Sequence, residues 1–156
     1  MRSRSAVWFE VGIRYRKTQK DGSEKAVTER YAVDALSFTE AESAITEEME
    51  AYISGEFKIK SEVQANYGEV WFSDNDDDDK WYKAKLSYIT IDERTEKEKR
   101  TSITYLVQAK SMHRALKNID EVMGKSLADY EVVGLQETKV LDVFEHQLQT
   151  KKEEEE

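Results

Sequence analysis

Cysteine is absent from this 156-residue sequence, and its absence excludes three kinds of chemistry. Without thiols the chain cannot form disulfides, thiolate metal centres or cysteine nucleophiles. The same absence fits a reducing compartment, and we expect a cytoplasmic protein. Proline is also absent, so turns must be formed by glycine, aspartate, asparagine and serine.

Glycine and histidine are scarce, which limits the catalytic possibilities. The six glycines are scattered, so the sequence has no phosphate-binding loop. His113 and His146 are the only histidines, and neither has a serine or aspartate partner at a recognisable spacing. Carboxylate pairs are frequent, but none has the apolar surroundings that would shift a pKa. We therefore expect no catalytic residues, no metal site and no cofactor, and a protein that is not an enzyme.

Long apolar runs are missing as well. No run approaches the roughly 20 residues of a membrane-spanning helix, and the basic start of the chain is not followed by the apolar core of a signal peptide. We expect no membrane partner. The net charge of −9 disfavours general binding to nucleic acid, although it does not describe local charge. The three tryptophans, eight tyrosines and five phenylalanines exclude a disordered acidic protein.

The sequence does contain one residue pattern that occurs twice. Trp8 matches Trp81 and Tyr31 matches Tyr105, and the same alignment continues through the pairs Val33 and Val107, Ala41 and Ala115, Ile45 and Ile119, Met49 and Met123, and Val70 and Val143. The pattern indicates an internal duplication. The predicted division is a first repeat at 8–72, an acidic linker at 73–80, a second repeat at 81–144 and a charged, disordered tail at 145–156.

Each repeat begins with the pattern of a β-hairpin. In the first repeat, apolar residues alternate with polar ones from Phe9 to Tyr15 and again from Val27 to Ala35, and Asp21-Gly22 lies between the two runs. Period-two alternation is typical of strands with one buried face, and Asp-Gly favours a tight turn. The second repeat has the same alternation from Tyr82 to Tyr88 and from Ile103 to Ala109, around a charged turn at 92–99.

A helix and further strand follow each hairpin. Ser37 and Glu40 form a capping box in which the Glu40 carboxylate should reach the Ser37 amide, and Ser111 caps the second helix without an acidic partner. The first helix should end near Gly55 and bury the stripe Phe38, Ala41, Ile45, Met49 and Tyr52; the second should bury Met112, Ala115, Ile119 and Val122. Residues 57–72 are predicted as one strand, or as two strands interrupted at 66–68.

These elements predict an α+β protein made of two tandem ββαβ or ββαββ repeats, with a largely antiparallel sheet, one helix per repeat and pseudo-two-fold symmetry. The sequence leaves open whether the two sheets join edge to edge or pack face to face. Homodimerisation through an exposed strand edge is a further expectation, because a small sheet must protect its edges.

Several segments carry a family resemblance, above all the run Asp34–Glu42, with Trp8–Glu10, Tyr52–Phe57, Asp79–Lys85 and Ala128–Tyr130. In these segments, and over roughly 8–144, the chain resembles a family of Bacteroidetes and their phages known as domain of unknown function 4494. The resemblance implies a cytoplasmic protein encoded by a phage or mobile element. It implies no activity and no residue roles.

The leading candidate site is the strand face that points away from the helices. Strand alternation places two tryptophans and six cations on this face: Trp8, Arg14, Arg16, Arg30, Trp81, Lys83, Lys85 and Arg100. Aromatic rings with cations could anchor a protein, or could stack on bases and contact phosphates of single-stranded nucleic acid. Alternatively, the tryptophans pack the two repeats together and the cations form a solvated rim.

Two acidic features offer further alternatives. The linker carboxylates Asp74 and Asp76–Asp79 could be calcium ligands, but the spacing of an EF-hand is missing, and a self-repelling, extended linker is favoured. The helix glutamates Glu40, Glu42, Glu47, Glu48 and Glu50 could imitate nucleic acid and occupy a DNA-binding partner, although an ordinary solvated face is favoured. We expect a small, non-enzymatic binding or adaptor protein whose partner is another protein, with nucleic-acid binding and acidic mimicry as alternatives.

Overall fold

The computed structural model describes residues 1–147, and within them the order of elements is that of the predicted α+β protein. The strand, strand, helix, strand order occurs twice, and each time a short strand follows. The elements are β1 (Arg2–Ser5), β2 (Trp8–Thr18), β3 (Glu24–Asp34), α1 (Phe38–Glu50), β4 (Phe57–Gln64), β5 (Glu69–Phe72), β6 (Lys80–Ile91), β7 (Glu98–Ala109), α2 (Met112–Met123), β8 (Asp129–Glu137) and β9 (Val140–Phe144).

The two hairpins form where alternation predicts them, but their turns differ. Gly22 adopts φ 87°, which glycine tolerates without steric cost, and the turn is closed by a 2.7 Å bond from the Gln19 amide to the Ser23 carbonyl. The second turn has no glycine, and Glu96 takes φ 56° instead. A positive φ is unfavourable for this side chain, so the second turn is strained.

One compact unit comprises residues 6–65 and the described chain from 139 onward, with a four-stranded sheet in the order β4-β2-β3-β9. β2 runs antiparallel to β3 and β4, whereas β9 runs parallel to β3. Alternate strand residues pack under α1, as predicted; this core is Phe9, Val11, Ile13, Tyr31, Val33, Ala35, Ala41, Ala44, Ile45 and Met49. We call the opposite side of this sheet the outer face.

The other compact unit comprises residues 1–5 and 66–138, with a five-stranded sheet in the order β1-β5-β7-β6-β8. Its core packs under α2 and consists mainly of Trp71, Ala84, Leu86, Tyr105, Val107, Ile119 and Met123. Trp71 stacks on Tyr105 with ring centroids 4.3 Å apart. β1 was not predicted, because its Arg-Ser-Arg-Ser sequence has no apolar alternation.

The last strand of each sequence repeat lies in the unit built around the other repeat's hairpin. β5 follows β4 in the chain, yet it pairs parallel with β7. β9 follows β8, yet it pairs parallel with β3. Residues 57–72 are therefore two strands, as one of the two predictions held, and the interruption at 66–68 is the point where the chain passes between sheets.

The helices begin as predicted but bury different residues at their ends. Ser37 Oγ accepts the Glu40 amide at 3.1 Å, while Glu40 Oε2 accepts the amide of Leu36 at 3.1 Å, one residue earlier than predicted. α1 stops at Glu50, so Tyr52 lies beyond it and is 75% exposed. Met112 is also exposed in α2, where Asn118 and Met123 are buried instead.

The tail predicted to be disordered lies outside the described residues from 148 onward. No helix within residues 1–147 has the length and apolarity needed to cross a membrane.

Candidate functional site

Both candidate tryptophans are buried, with 1% of Trp8 and 2% of Trp81 exposed. Two neighbours of Trp8 on the outer face, Glu10 on β2 and Ala32 opposite it on β3, are buried as well. Trp81 packs edge-on against Phe72, with ring centroids 5.5 Å apart. The expectation that the two rings are displayed is therefore wrong, because alternation gives a side chain's direction but does not reveal what covers that face.

The predicted cations of the four-stranded unit are exposed on the outer face. Arg14 and Arg16 point to this side from β2, and Arg30 does so from β3. Arg16 Nε lies 3.2 Å from Glu24 Oε2, and Arg30 lies 3.8 Å from the buried Glu10 carboxylate. Three more exposed lysines lie around them, two on β4 and one just before β9, and we call the set the basic outer face: Arg14, Arg16, Arg30, Lys58, Lys60 and Lys139.

Sequence reasoning missed Lys58, Lys60 and Lys139 for two reasons. Lys58 and Lys60 alternate with Phe57 and Ile59, so their direction was readable, but the register that sets Lys58 beside Arg14 was not. Lys139 precedes β9, which pairs with a strand of the other repeat. No local pattern in the sequence signals that exchange.

A cleft of about 370 Å³ opens between β2 and β4 at the end of this face. Four cations, one carboxylate and three apolar or aromatic residues line it: Arg14, Arg16, Lys58, Lys60, Glu56, Tyr15, Ala26 and Phe57. A second cleft, of about 460 Å³, is lined by Gly12, Thr28, Glu29, Arg30, Lys139 and Leu141. The outer face thus offers concave surface on which cations outnumber the one glutamate of each cleft, in a protein of net charge −9.

A break in the strand register shapes the first cleft. The β2–β4 pairing shifts between Gly12 and Ile13, where Lys60 is the extra residue of β4. A Cβ at Gly12 would overlap Ser61 Oγ, so a larger residue there requires the Ser61 hydroxyl to rotate away. The bulge turns the Lys60 side chain toward the cleft beside Lys58.

The remaining predicted cations lie in the five-stranded unit and have different surroundings. Lys83 is half-buried, with its Nζ 5.8 Å from the centroid of the Tyr67 ring. Arg100 donates to Glu131 at 3.0 Å and to Glu98 at 3.5 Å, and the Glu131 bond raises the pKa of Arg100. Lys85 is exposed between Thr104 and Gly134. The cations of this unit are therefore dispersed or neutralised.

The acidic linker departs from the solvated segment that its charge predicted at Asp78, while its other four aspartates are exposed. Asp78 is 2% exposed and accepts hydrogen bonds from the Lys110 amide at 2.9 Å, from Asn118 Nδ2 at 3.3 Å and from the Ser73 hydroxyl. Asp74 accepts the Met1 ammonium at 2.9 Å, and this bond lowers the pKa of Asp74. Burial against matched donors outweighs the mutual repulsion of the aspartates. Within residues 1–147, no three histidine, aspartate or glutamate side chains are grouped as metal ligands.

One carboxyl pair contradicts the expectation that no pKa is shifted. Glu62 on β4 is hydrogen-bonded to Glu42 on α1, and burial together with this bond and the Glu42 charge raises the pKa of Glu62 to about 7. Sequence could not reveal the pair, because it depends on how β4 lies beside α1. On the same helix, Glu40 bonds the Leu36 amide, so two of the five glutamates proposed for mimicry, Glu40 and Glu42, are hydrogen-bonded within the fold, and burial raises the pKa of Glu48.

Of the two histidines, His146 lies close enough to Glu48 for its charge to oppose the rise in the pKa of that glutamate. His113 is exposed in the first turn of α2, and His146 follows β9 and is half-buried.

The chain belongs to a known family. The family model described as "Domain of unknown function (DUF4494)" matches residues 7–146. No curated protein and no solved structure matches the chain.

Proposed function

We propose that this DUF4494 protein is a small, non-enzymatic binding module that holds an acidic segment of another protein on its basic outer face. The observation that carries the proposal is the pairing of Arg14 with Lys58, two exposed cations opposite each other on neighbouring strands. Like charges in this position destabilise a sheet. An acidic ligand would relieve the repulsion, so the arrangement suits binding better than folding.

The lack of ion-pair partners at three of these cations, in the part of the chain that the structure describes, supports the same conclusion. Among the described residues, no carboxylate lies within 4.0 Å of Arg14, Lys58 or Lys60. These side chains are exposed around one cleft, and their charges add in a concave surface with low-dielectric walls. Such a surface attracts carboxylates and fixes the register of an acidic chain.

Single-stranded nucleic acid is the second candidate, because phosphates would meet the same cations. Binders of this kind also need exposed aromatic rings on which bases stack. Trp8 and Trp81 are buried, and the large exposed aromatic residues among residues 1–147, Phe38 and Tyr52, lie at the ends of α1. The acidic-mimic hypothesis is weaker still, because Glu40 and Glu42 are hydrogen-bonded within the fold and Glu48 is partly buried.

A cytoplasmic site of action and an origin in a phage or mobile element of the Bacteroidetes are part of the proposal. The first is supported by the absence of cysteine. The second is supported by the resemblance of the Asp34–Glu42 run.

The proposal is tested by calorimetric titration of the protein with a poly-glutamate peptide at low and moderate salt. We expect saturable binding that weakens with salt, because the Debye length falls to about 8 Å at 0.15 M. The variant carrying Arg14→Glu and Lys58→Glu should lose at least about tenfold in affinity. The matched control carries Lys85→Glu and Lys110→Glu, exposed cations of the five-stranded unit, and should bind like the unaltered protein apart from the small effect of net charge.

The outcomes separate the alternatives. Equal losses in both variants would contradict the proposal, since net charge alone would then govern binding. The nucleic-acid alternative predicts that oligothymidylate binds more tightly than poly-glutamate and loses that binding in the same Arg14 and Lys58 variant. That result would identify single-stranded nucleic acid as the ligand of the basic outer face.

A further inference from the structure

A pair of carboxyl groups joins α1 to β4 on the side of the sheet opposite the basic outer face. Glu62 lies opposite Val11 across the β2–β4 ladder, and Val11 belongs to the core under α1, so the Glu62 side chain points toward the helix. There it is hydrogen-bonded to Glu42 of α1. Contact with a ligand on the outer face does not use this pair, because the pair lies behind β4.

The bond between the two carboxyl groups requires a proton. Ionised carboxylates accept hydrogen bonds but cannot donate them, so Glu42 and Glu62 can bond only while one of them is protonated. Glu62 Oε1 is buried, and no N–H or hydroxyl group within residues 1–147 donates to it. A carboxylate buried without a donor is costly when ionised. The link between α1 and β4 therefore exists in the protonated pair and gives way to repulsion when both groups ionise.

The charged groups around the pair come from α1 and from the start of β4. They lie around a cleft of about 510 Å³ that Glu42 also lines, and they are Glu50, Glu56 and Lys58. On this side of the sheet β2 is apolar apart from Tyr15, which stays neutral because burial raises its pKa to about 12. Burial comes first among the causes that raise the pKa of Glu62 to about 7, followed by the Glu42 bond and the Glu42 charge. The pair thus changes its charge near neutral pH, and the exposure of Glu42 lets the proton exchange with solvent.

The β4 strand connects this pair to the basic outer face. Lys58 and Lys60 line the first cleft of that face from β4, and Lys60 lies two residues before Glu62. Within the described residues, β4 pairs with β2 and packs against the core under α1. The β2–β4 ladder is already interrupted by the bulge at Lys60. Repulsion between Glu42 and Glu62 therefore acts on the part of β4 that carries both lysines.

We propose that the Glu42–Glu62 pair is a proton-controlled link that regulates binding of the acidic ligand to the basic outer face. With the proton in place, β4 is held to α1, and Lys58 and Lys60 keep their positions beside Arg14. When the proton leaves, α1 and β4 repel each other, and a negative charge appears behind the cations. Both effects weaken binding of an acidic segment as pH rises through neutrality. This inference rests on the proposed function, since it adds regulation to the same face.

Two substitutions preserve the link without a proton. A glutamine amide can donate to the remaining carboxylate, so Glu62→Gln and Glu42→Gln should each hold α1 to β4 at neutral and at mildly alkaline pH. Glu47→Gln removes the same charge from an exposed position of α1 and is the matched control.

Calorimetric titration with the poly-glutamate peptide at pH 6 and pH 8, at constant ionic strength, measures the regulation. The unaltered protein and the Glu47 variant should bind roughly threefold more weakly at pH 8, whereas the Glu42 and Glu62 variants should bind alike at both pH values. The peptide stays ionised over this range, and histidine titration is common to all four proteins, so neither accounts for a difference between them. An equal loss of affinity in the Glu62 variant and the unaltered protein would overturn the inference.

Amide-exchange protection of β4 without ligand reports on the link alone. Protection should fall between pH 6 and pH 8 in the unaltered protein and the Glu47 variant, and should stay constant in the Glu42 and Glu62 variants. Constant protection in the unaltered protein, with poly-glutamate still bound, would overturn the link and leave the proposed function standing. Failure of every protein to bind poly-glutamate at either pH would overturn the proposed function, and the regulation with it, even if protection changes as expected.

Discussion

Arg14 on β2 and Lys58 on β4 are direct neighbours across the β2–β4 ladder, and both side chains are exposed on the same face of the sheet. The fold does not require two cations at this place. Glutamate at either position would give an opposite-charge pair with the same backbone pairing. Stability and binding should therefore respond in opposite directions to a single substitution.

Lys58→Glu should stabilise the protein by about 0.5 kcal/mol, because a like-charge pair becomes an opposite-charge pair on an exposed sheet surface. The same change should weaken poly-glutamate binding. Urea denaturation and calorimetry on one preparation measure both quantities. If stability and affinity fell together, the lysine would be needed for folding, and its loss could not be taken as evidence for a binding face.

Glu62→Gln should make stability less dependent on pH. The pKa of Glu62 is about 7 in the folded protein and 4.5 in its ordinary state, so the fold binds this proton more tightly than the unfolded chain does. The contribution is fully present below pH 4.5 and is lost as pH rises through 7. Solvent screening reduces the effect, and we expect the glutamine variant to be about 1 kcal/mol more stable than the unaltered protein at pH 8, with little difference at pH 4.

Thermal unfolding from pH 4 to pH 8 measures this difference, with Glu47→Gln on the exposed side of α1 as control. An identical pH dependence in the Glu62 variant and the unaltered protein would show that the Glu42–Glu62 bond does not hold the proton.

Asp78→Ala should cost about 2–4 kcal/mol of unfolding free energy. The carboxylate is buried, and its removal leaves the Lys110 amide and the Ser73 hydroxyl without this acceptor and leaves Asn118 Nδ2 only its bond to the Gln108 carbonyl. Asp77→Ala is the matched control one residue away, exposed and expected to change stability by less than about 0.5 kcal/mol. Chemical denaturation measures both effects. Equal effects of the two substitutions would show that the buried bonds of Asp78 do not stabilise the fold.

Glu96→Asn should stabilise the protein by roughly 0.5 kcal/mol, because asparagine tolerates the positive φ of this turn better than glutamate does. Glu93→Asn, in the same turn, supplies the control. A loss of stability specific to the Glu96 variant would mean that the side chain, and not the backbone conformation, determines the energy of the turn.

The sequence predicted local features well, because they depend on neighbouring residues. Alternation located β2, β3, β6 and β7, and serine caps located both helix starts. It was less successful at helix ends: Tyr52 continues the apolar spacing of α1, but the helix stops before it. A residue at the right spacing is buried only if the helix extends that far.

Non-local features could not be predicted. Nothing in the Val140–Phe144 sequence indicates that β9 pairs with β3 of the other repeat, and Lys139 was missed for that reason. The predicted display of Trp8 on the outward face was wrong for the same physical reason, since a strand pattern gives two faces but does not say how far each is covered. The sequence therefore predicted Arg14, Arg16 and Arg30 of the basic outer face. Its lysines, Lys58, Lys60 and Lys139, were located only by the pairing of strands distant in the chain.

The most direct test of the binding face is to map it on the protein in solution. Poly-glutamate peptide is titrated into the ¹⁵N-labelled chain, and the amide shifts are followed residue by residue. We predict that the largest shifts fall on β2 and β4 around Arg14, Lys58 and Lys60, with smaller ones at Arg30 and Lys139. Shifts that instead centre on Lys83, Lys85 and Arg100, or that spread evenly over all exposed lysines, would contradict the account.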